Sequence, residues 1–405
     1  MKKWFILCFA CALLTLLFVS CGSAHITLDY VVDDEVYASV SLDEGEALER
    51  LNRIPTKEGY FFGGWFYDYG KWELPLDVGD LNNHLDKSAH YKVYAKWEVV
   101  ELTLSLETGN RGYIVTELLA GAGSEVVIPS HYENLPVIAI GPAVFRGRTD
   151  LTSITIPDTV KVIGDYAFEG CTALTSLTMP HSIVTTGTGA FSGCTSLSDI
   201  RFSERLETLG ARTFAGCTAL TEITLPASVK TIGGSAFAGC TSLTAITLSK
   251  SLDKIGPRAF SGCTGLTSLA IPDRVTEIEE YAFENCTGLT AITFGEKSSL
   301  VDLCRGAFAG TSIETLYFHE TASMAIIRDG AFSGMTALRT LTLPHADLIG
   351  SGILEGTPLT VIHFHGTVEE WESIRKLGGW ESNTLGAIAS VVCSDGTAEI
   401  TAPAE

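Results

Sequence analysis

The chain repeats itself, and so regularly that few folds remain open to it. Ala-Phe, two residues, Cys-Thr, one residue and Leu recur around Phe168, Phe191, Phe214, Phe237, Phe260 and Phe283, each phenylalanine 23 residues after the last. Cys171, Cys194, Cys217, Cys240, Cys263 and Cys286 keep step, and looser copies extend the series back to Phe145 and on to Phe308, Phe332 and Leu354. A fixed period of this length is the signature of a solenoid. One supersecondary unit cannot bury its apolar face alone and does so against its own copy.

Each regular copy reads Leu-Thr-x-Ile-Thr-Leu-Pro-x-x-Val-x-x-Ile-Gly-x-x-Ala-Phe-x-Gly-Cys-Thr-x. The segment Leu174-Thr175-Ser176-Leu177-Thr178-Met179 alternates in its second half and stops at Pro180, which cannot donate to a sheet ladder, so a short strand is expected. Val160, Ile163, Ala167 and Phe168 follow at spacings of three, four and one, which predicts a tight helical turn on the other side of the coil. Gly164 and Gly170 allow its corners. The wording Ile-Gly-x-x-Ala-Phe-x-Gly-Cys-Thr-x-Leu closely resembles the BspA-like class of leucine-rich repeat, over about residues 113–366. The expected fold class for this region is therefore a repeat solenoid of leucine-rich repeats, with a parallel β-sheet on one face and short helical turns on the other. Departures come late: the step is 25 residues to Phe308 and 24 to Phe332, and Thr311, Met335 and Thr357 replace the cysteine.

Of the eleven cysteines, six form the periodic set, while Cys304 and Cys393 stand outside it and Cys8, Cys11 and Cys21 belong to the N-terminal segment. One cysteine per repeat is not the paired spacing of a disulfide framework. Parallel side chains on neighbouring coils are poorly placed for a bridge, so each thiol is expected to fill a small apolar slot.

Met1-Lys2-Lys3 and the apolar run of residues 4–20 read as an export signal, too short for a spanning helix. Ser20-Cys21 resembles a bacterial lipobox, which implies cleavage before Cys21 and lipid on its thiol and amine. Phe18 stands where Leu, Val or Ile is usual, so an ordinary signal peptidase site stays open, as does an uncleaved anchor. Residues 24–98 lack the period and carry alternating, aromatic-rich stretches, with Tyr60, Phe62, Trp65, Tyr94 and Trp97 expected to supply a core. The Pro-x-x-x-Gly-Tyr-x-Phe-x-Gly-Trp run from Pro55 and the closing Val-Tyr-Ala-x-Trp closely resemble the internalin-type B repeat. That resemblance implies a compact β-grasp module serving as spacer or host-contact unit; a carbohydrate platform is the other reading of the aromatics. Residues 99–112 are expected to be a linker around Gly109-Asn110-Arg111-Gly112, 113–366 the repeats with an atypical entry coil, 367–396 a C-terminal cap opened by an amphipathic helix, and 397–405 a disordered tail.

With 27 basic and 48 acidic residues the chain carries a formal charge of −21, which argues against nucleic acid and against electrostatic docking on anionic lipid. No glycine-rich phosphate loop, Gly-x-Ser-x-Gly elbow or His-Glu-x-x-His motif occurs. If the strands point Leu and Ile inward, the residues between them form two outward columns. One runs from Ser153 through Ser176, Asp199, Glu222 and Ala245, the other from Thr155 through Thr178, Arg201, Thr224 and Thr247. Small hydroxyls and alanines dominate both, and neither places a nucleophile beside a base. Asp199 with Arg201 and Glu222 is the one charged cluster; Tyr317 and His363 are the other ligand-binding candidates. His363-Phe364-His365 has a spacing some metal sites use but no further ligand at a suitable offset, so neither a metal, a cofactor nor an enzyme is expected. The leader and the lipobox resemblance imply an exported lipoprotein held to the membrane through Cys21, and the BspA-like and B-repeat resemblances imply its partners. It would act as an adhesin for host matrix glycoproteins, host cells or other bacteria, the alternative being a structural envelope scaffold. On the array, function is expected on the Ser/Thr-rich strand face and on the coils where the pattern breaks.

Overall fold

A computed structural model describes residues 26–42, 55, 57, 60–66, 90–99 and 101–400, apart from 323, 383–387 and 389. The chain divides into two compact units: residues 1–120 with 127–138 and 157–159, and residues 121–126 with 139–156 and 160–405. The proposed leader and Cys21 lie outside the described residues.

In the first unit, Glu35–Leu42, Ile26–Val32, His90–Val99 and Tyr60–Phe66 form a mixed four-stranded sheet in that order. The two N-terminal strands are a hairpin turned by Asp33 and Asp34, at φ 46° and 68°, the left-handed pair that a two-residue hairpin requires. Leu28, Tyr30, Trp65, Val93 and Ala95 make its core, with the Tyr30 and Trp65 rings edge to face at 4.8 Å. The expected aromatic core is thus met in part. Trp65 is buried, but Tyr94 is half-buried and Tyr60 exposed, because strand residues alternate faces and Val93 and Ala95 occupy the inward positions. The side chains of Phe62 and Trp97 lie outside the described residues, although the two positions pair across Tyr60–Phe66 and His90–Val99. The stretch read as a linker holds a strand, Leu102–Leu106, paired antiparallel with Tyr113–Leu118. Gly109-Asn110-Arg111-Gly112 is the turn of that hairpin, with Asn110 at φ 53° and an Arg111–Glu107 ion pair across it.

The second unit is a parallel β-solenoid with two ladders. A wide ladder carries one strand of three or four residues per coil, from Ser153–Thr155 through Ser176–Thr178, Asp199–Arg201, Glu222–Thr224 and onward to Val361–Phe364 and Ser390–Val392. A narrow ladder runs along another side of the coils as two-residue strands: Thr208–Leu209, Thr231–Ile232, Lys254–Ile255, Glu277–Ile278, Asp302–Leu303, Ile326–Ile327, Leu348–Ile349 and Arg375–Lys376 are bonded in that order. Isolated bridges Ile163↔Thr186 and Thr185↔Thr208 carry it back to Val162–Ile163.

This ladder and the turns after it stand where helical turns were expected. A helix returns each N–H to the carbonyl four residues back. Here the amides of Tyr166, Phe168 and Gly170 bond the carbonyls of Thr188, Ala190 and Ser192 on the next coil, while Ala167, Glu169 and Cys171 close four-residue turns on their own coil. Half the donors are therefore bound to a neighbour that a helix would not reach. The path bends through left-handed positions at Tyr166 (φ 56°) and Gly170 (φ 72°). Gly164 is required for contact: a Cβ on it would lie 2.6 Å from the Gly141 carbonyl carbon of the coil before.

Between the ladders the phenylalanines form a buried stack from Phe145 to Phe332. Successive rings lie within 17° of parallel, their centroids 4.8 Å apart at Phe145–Phe168 and 6.4 Å at Phe308–Phe332. Beside the stack, each periodic thiol donates to the phenylalanine carbonyl of the preceding coil, as in Cys171 to Phe145 at 3.1 Å and Cys286 to Phe260 at 3.0 Å. Where threonine replaces cysteine the bond turns inward: Thr311 and Thr357 donate to Phe308 and Leu354 of their own coils. The array closes on the helix Val368–Ser373, started by a Thr367–Glu370 capping box and anchored by Trp371 against Phe364 and Trp380. The segment read as a tail contributes a further strand, Thr397–Glu399, antiparallel to Ser390–Val392. It covers an edge whose backbone groups would otherwise be unpaired.

Candidate binding face

The wide ladder presents its columns as expected: Leu177, Ile223, Ile246 and Leu269 point inward, and the flanking Ser, Thr and Ala positions are exposed. Parallel pairing sets Ser176 beside Asp199, Thr178 beside Arg201, Glu222 beside Ala245 and Tyr317 beside Thr342, which in turn meets His363. Asp199, Arg201 and Glu222 are exposed on consecutive coils, but the strands Asp199–Arg201 and Glu222–Thr224 fall in separate bonded pairs and no ion pair joins the three. Tyr317 and His363 lie on coils much nearer the C-terminus, about 19 Å and about 29 Å along the axis from Glu222 at ordinary strand spacing. The candidates therefore form two groups.

The second group is larger than the sequence columns suggested. Tyr317, 48% exposed, stands at right angles to the ring of His365 (5.5 Å) and to that of His319 (6.4 Å). His365 Nε2 lies 3.0 Å from the Phe318 carbonyl oxygen. Beside His319 is a depression of about 650 Å³ lined by Thr276, Glu296, Lys297, Ser299, Val301 and Thr321, among others. Its signal was present in the 25-residue step to Phe308. The two additional residues lengthen the loop between Ala291–Phe294 and Asp302–Leu303.

The thiols are scaffold chemistry. The eight described cysteines are all free and buried. Burial pushes the thiols of Cys240 and Cys286 up to about 12 and those of Cys194, Cys217 and Cys263 upward as well; for Cys194 the neighbouring Cys171 acts first. None of these five is a thiolate nucleophile near neutral pH. Among the described residues, Glu277, Asp302 and Cys304 are the one group whose ligand-type atoms lie within 4.8 Å of one another. Both carboxylates already have cations: Arg328 forks onto Asp302 and Lys254 reaches Glu277 at 3.0 Å, while burial raises the Cys304 thiol to about 12. A metal ion would have to displace both side chains.

Comparison with known proteins agrees with this architecture. A leucine-rich repeat protein from Bacteroides ovatus, known by crystal structure, is 26% identical over 73% of this chain and 76% of its own, with a TM-score of 0.57. The T. pallidum leucine-rich repeat protein is 34% identical over 41% of this chain and 78% of its own, with a TM-score of 0.40. A putative Gly-rich membrane protein of Evansella cellulosilytica is 39% identical over 75 residues, 18% of this chain but 8% of that protein's length. The model of the BspA type leucine-rich repeat region matches residues 138–267 and 253–374, more than half of the chain, and the chain belongs to that family.

Proposed function

We propose that this protein is an exported cell-surface binding module, an adhesin for matrix or cell-surface glycoproteins of a host or for other bacteria. The observation that carries this reading is the unequal use of charge on the two ladders. Along the narrow ladder and its flanks several cations are bound across coils, Lys230 to Glu207, Arg274 to Asp253, Arg328 to Asp302. Along the wide ladder Asp199, Arg201 and Glu222 have no ion-pair partner among the described residues and stand exposed on a regular face. Such a face offers many weak contacts at fixed spacing, which add through multivalency to an extended ligand. Supporting it at the N-terminus are the apolar leader and Ser20-Cys21, where lipid on Cys21 would tether the chain to the outer membrane or cell surface, and the B-repeat-like block, which would space the array or share in contact. Nothing in the site asks for catalysis.

The test is binding of the lipid-free protein, beginning at Gly22, to immobilised matrix proteins, epithelial cells and other bacteria, repeated without residues 25–98. Saturable binding to one of them, weakened by Asp199→Ala with Glu222→Ala, is the expected outcome. Absence of binding to all three overturns the adhesin reading. Substitution of Cys21 by Ala should separately abolish incorporation of labelled fatty acid.

A further inference from the structure

We infer that Tyr317, His319, His365 and the adjoining depression form a binding site for a neutral oligosaccharide. The inference rests on the reading of the chain as a binding module and deepens it by naming a ligand class.

Three observations converge. Tyr317 is the one large aromatic ring in the outward columns of the wide ladder, and nearly half of it is exposed. The rings of His319 and His365 stand perpendicular to it on either contact, which holds the phenol in one orientation. An exposed, oriented aromatic face is a stacking surface for the C–H face of a pyranose ring. Some polar groups around it are already engaged: His319 Nδ1 meets the Thr321 hydroxyl at 2.9 Å. A backbone carbonyl can only accept, so His365 donates from Nε2 to Phe318. His363, two coils along from Tyr317, and the Tyr317 hydroxyl have no partner among the described residues. The depression then adds volume where the array is irregular. Its loop is two residues longer than the regular one, Thr321 ties it through a hydroxyl bond to the Glu296 carbonyl, and His319 borders both depression and ring.

The chemistry of the rim selects the ligand. Glu296 and Lys297 are adjacent, exposed and not ion-paired among the described residues, Ser299 adds a hydroxyl, and Val301, 42% exposed, adds apolar surface. Exposed donors and acceptors near an aromatic ring suit a polyhydroxyl chain, in which every hydroxyl both donates and accepts. A polyanionic glycan is opposed by the charge of −21 on the chain. A basic peptide would meet Lys297 and imidazoles.

The full chain, purified in detergent, would be titrated by calorimetry with cellohexaose, chitohexaose, maltohexaose and lacto-N-neotetraose. Saturable binding of at least one is expected, weakened about tenfold or more in Tyr317→Ala, the loss of one stacked ring contact. Tyr317→Phe should retain most of the affinity, and Tyr166→Ala, on the turn side of the array, should retain all of it. Unchanged thermal melting of Tyr317→Ala would show that the exposed substitution leaves the fold intact. No binding of any of the four sugars, or equal binding by Tyr317→Ala, overturns the site. If matrix-protein or cell binding persists in that case, the adhesin reading stands without it; if that binding is absent too, both fall.

Discussion

The two ladders of the array are built from the same coils and differ in what they leave free. On the narrow ladder and its flanks, cation and carboxylate on successive coils meet at 2.8–3.0 Å, as in Arg274–Asp253 and Lys230–Glu207. On the wide ladder the outward positions are small hydroxyls and alanines, and its few charged side chains make no inter-coil pair among the described residues. Inside both runs the same apolar stack. Cohesion therefore comes from the phenylalanine stack, the thiol ladder and the backbone bonds of the turns, with the narrow-ladder pairs as a modest supplement. The wide ladder is supported by this interior and contributes surface, so its residues can vary without loss of the coil.

The contrast can be broken most directly at the stack. Phe214→Ala should cost about 3–5 kcal/mol, the usual loss for a large buried ring that leaves a cavity. Urea unfolding would measure it, and a loss below about 1 kcal/mol would mean that the stack is not the source of cohesion.

Next come the thiols. Because burial raises the folded values of Cys240 and Cys286 above the ordinary one of 9.0, their contribution is complete below that value and is lost as pH rises through about 12. Melting temperature should accordingly fall between pH 9 and pH 12 and fall less in Cys240→Ala. Reductant should leave the melt unchanged at neutral pH; a large drop would show that bridges, and not free thiols, line the interior.

Arg328→Ala should cost on the order of 1 kcal/mol or less, since its guanidinium is about half exposed, and the difference should shrink in high salt. The smallest effect belongs to the wide ladder: Asp199→Ala and Glu222→Ala should each alter stability by less than about 0.5 kcal/mol while weakening ligand capture. A destabilisation comparable to that of Arg328→Ala would erase the distinction between the ladders.

Much of this was legible in the chain, because a repeat states its own packing many times. Phe168 and Cys171 recur with their neighbours, so spine, thiol slot and outward columns follow from one coil. Two kinds of feature were not legible. Val160, Ile163 and Ala167 have the spacing of a helical turn, yet the amides of Tyr166 and Phe168 bind carbonyls 22 residues ahead, a partner that local spacing does not reveal. At Leu102–Leu106 and Thr397–Glu399, weakly patterned segments became strands because an adjacent strand offered unpaired backbone groups. The site at Tyr317 was half visible. The residue stood out in its column and the 25-residue step marked the irregular coil, but His365 comes to it from 48 positions away.

By itself the sequence determined the period, the identity of the buried spine and which strand positions face outward, since these follow from local alternation and from one unit packing on its copy. Tertiary structure alone decided how the turn is bonded, which charges are paired and which are left exposed, and which side chains surround Tyr317. Those depend on which atoms of neighbouring coils come within hydrogen-bonding or contact distance, and a change of two residues in one loop is enough to alter them.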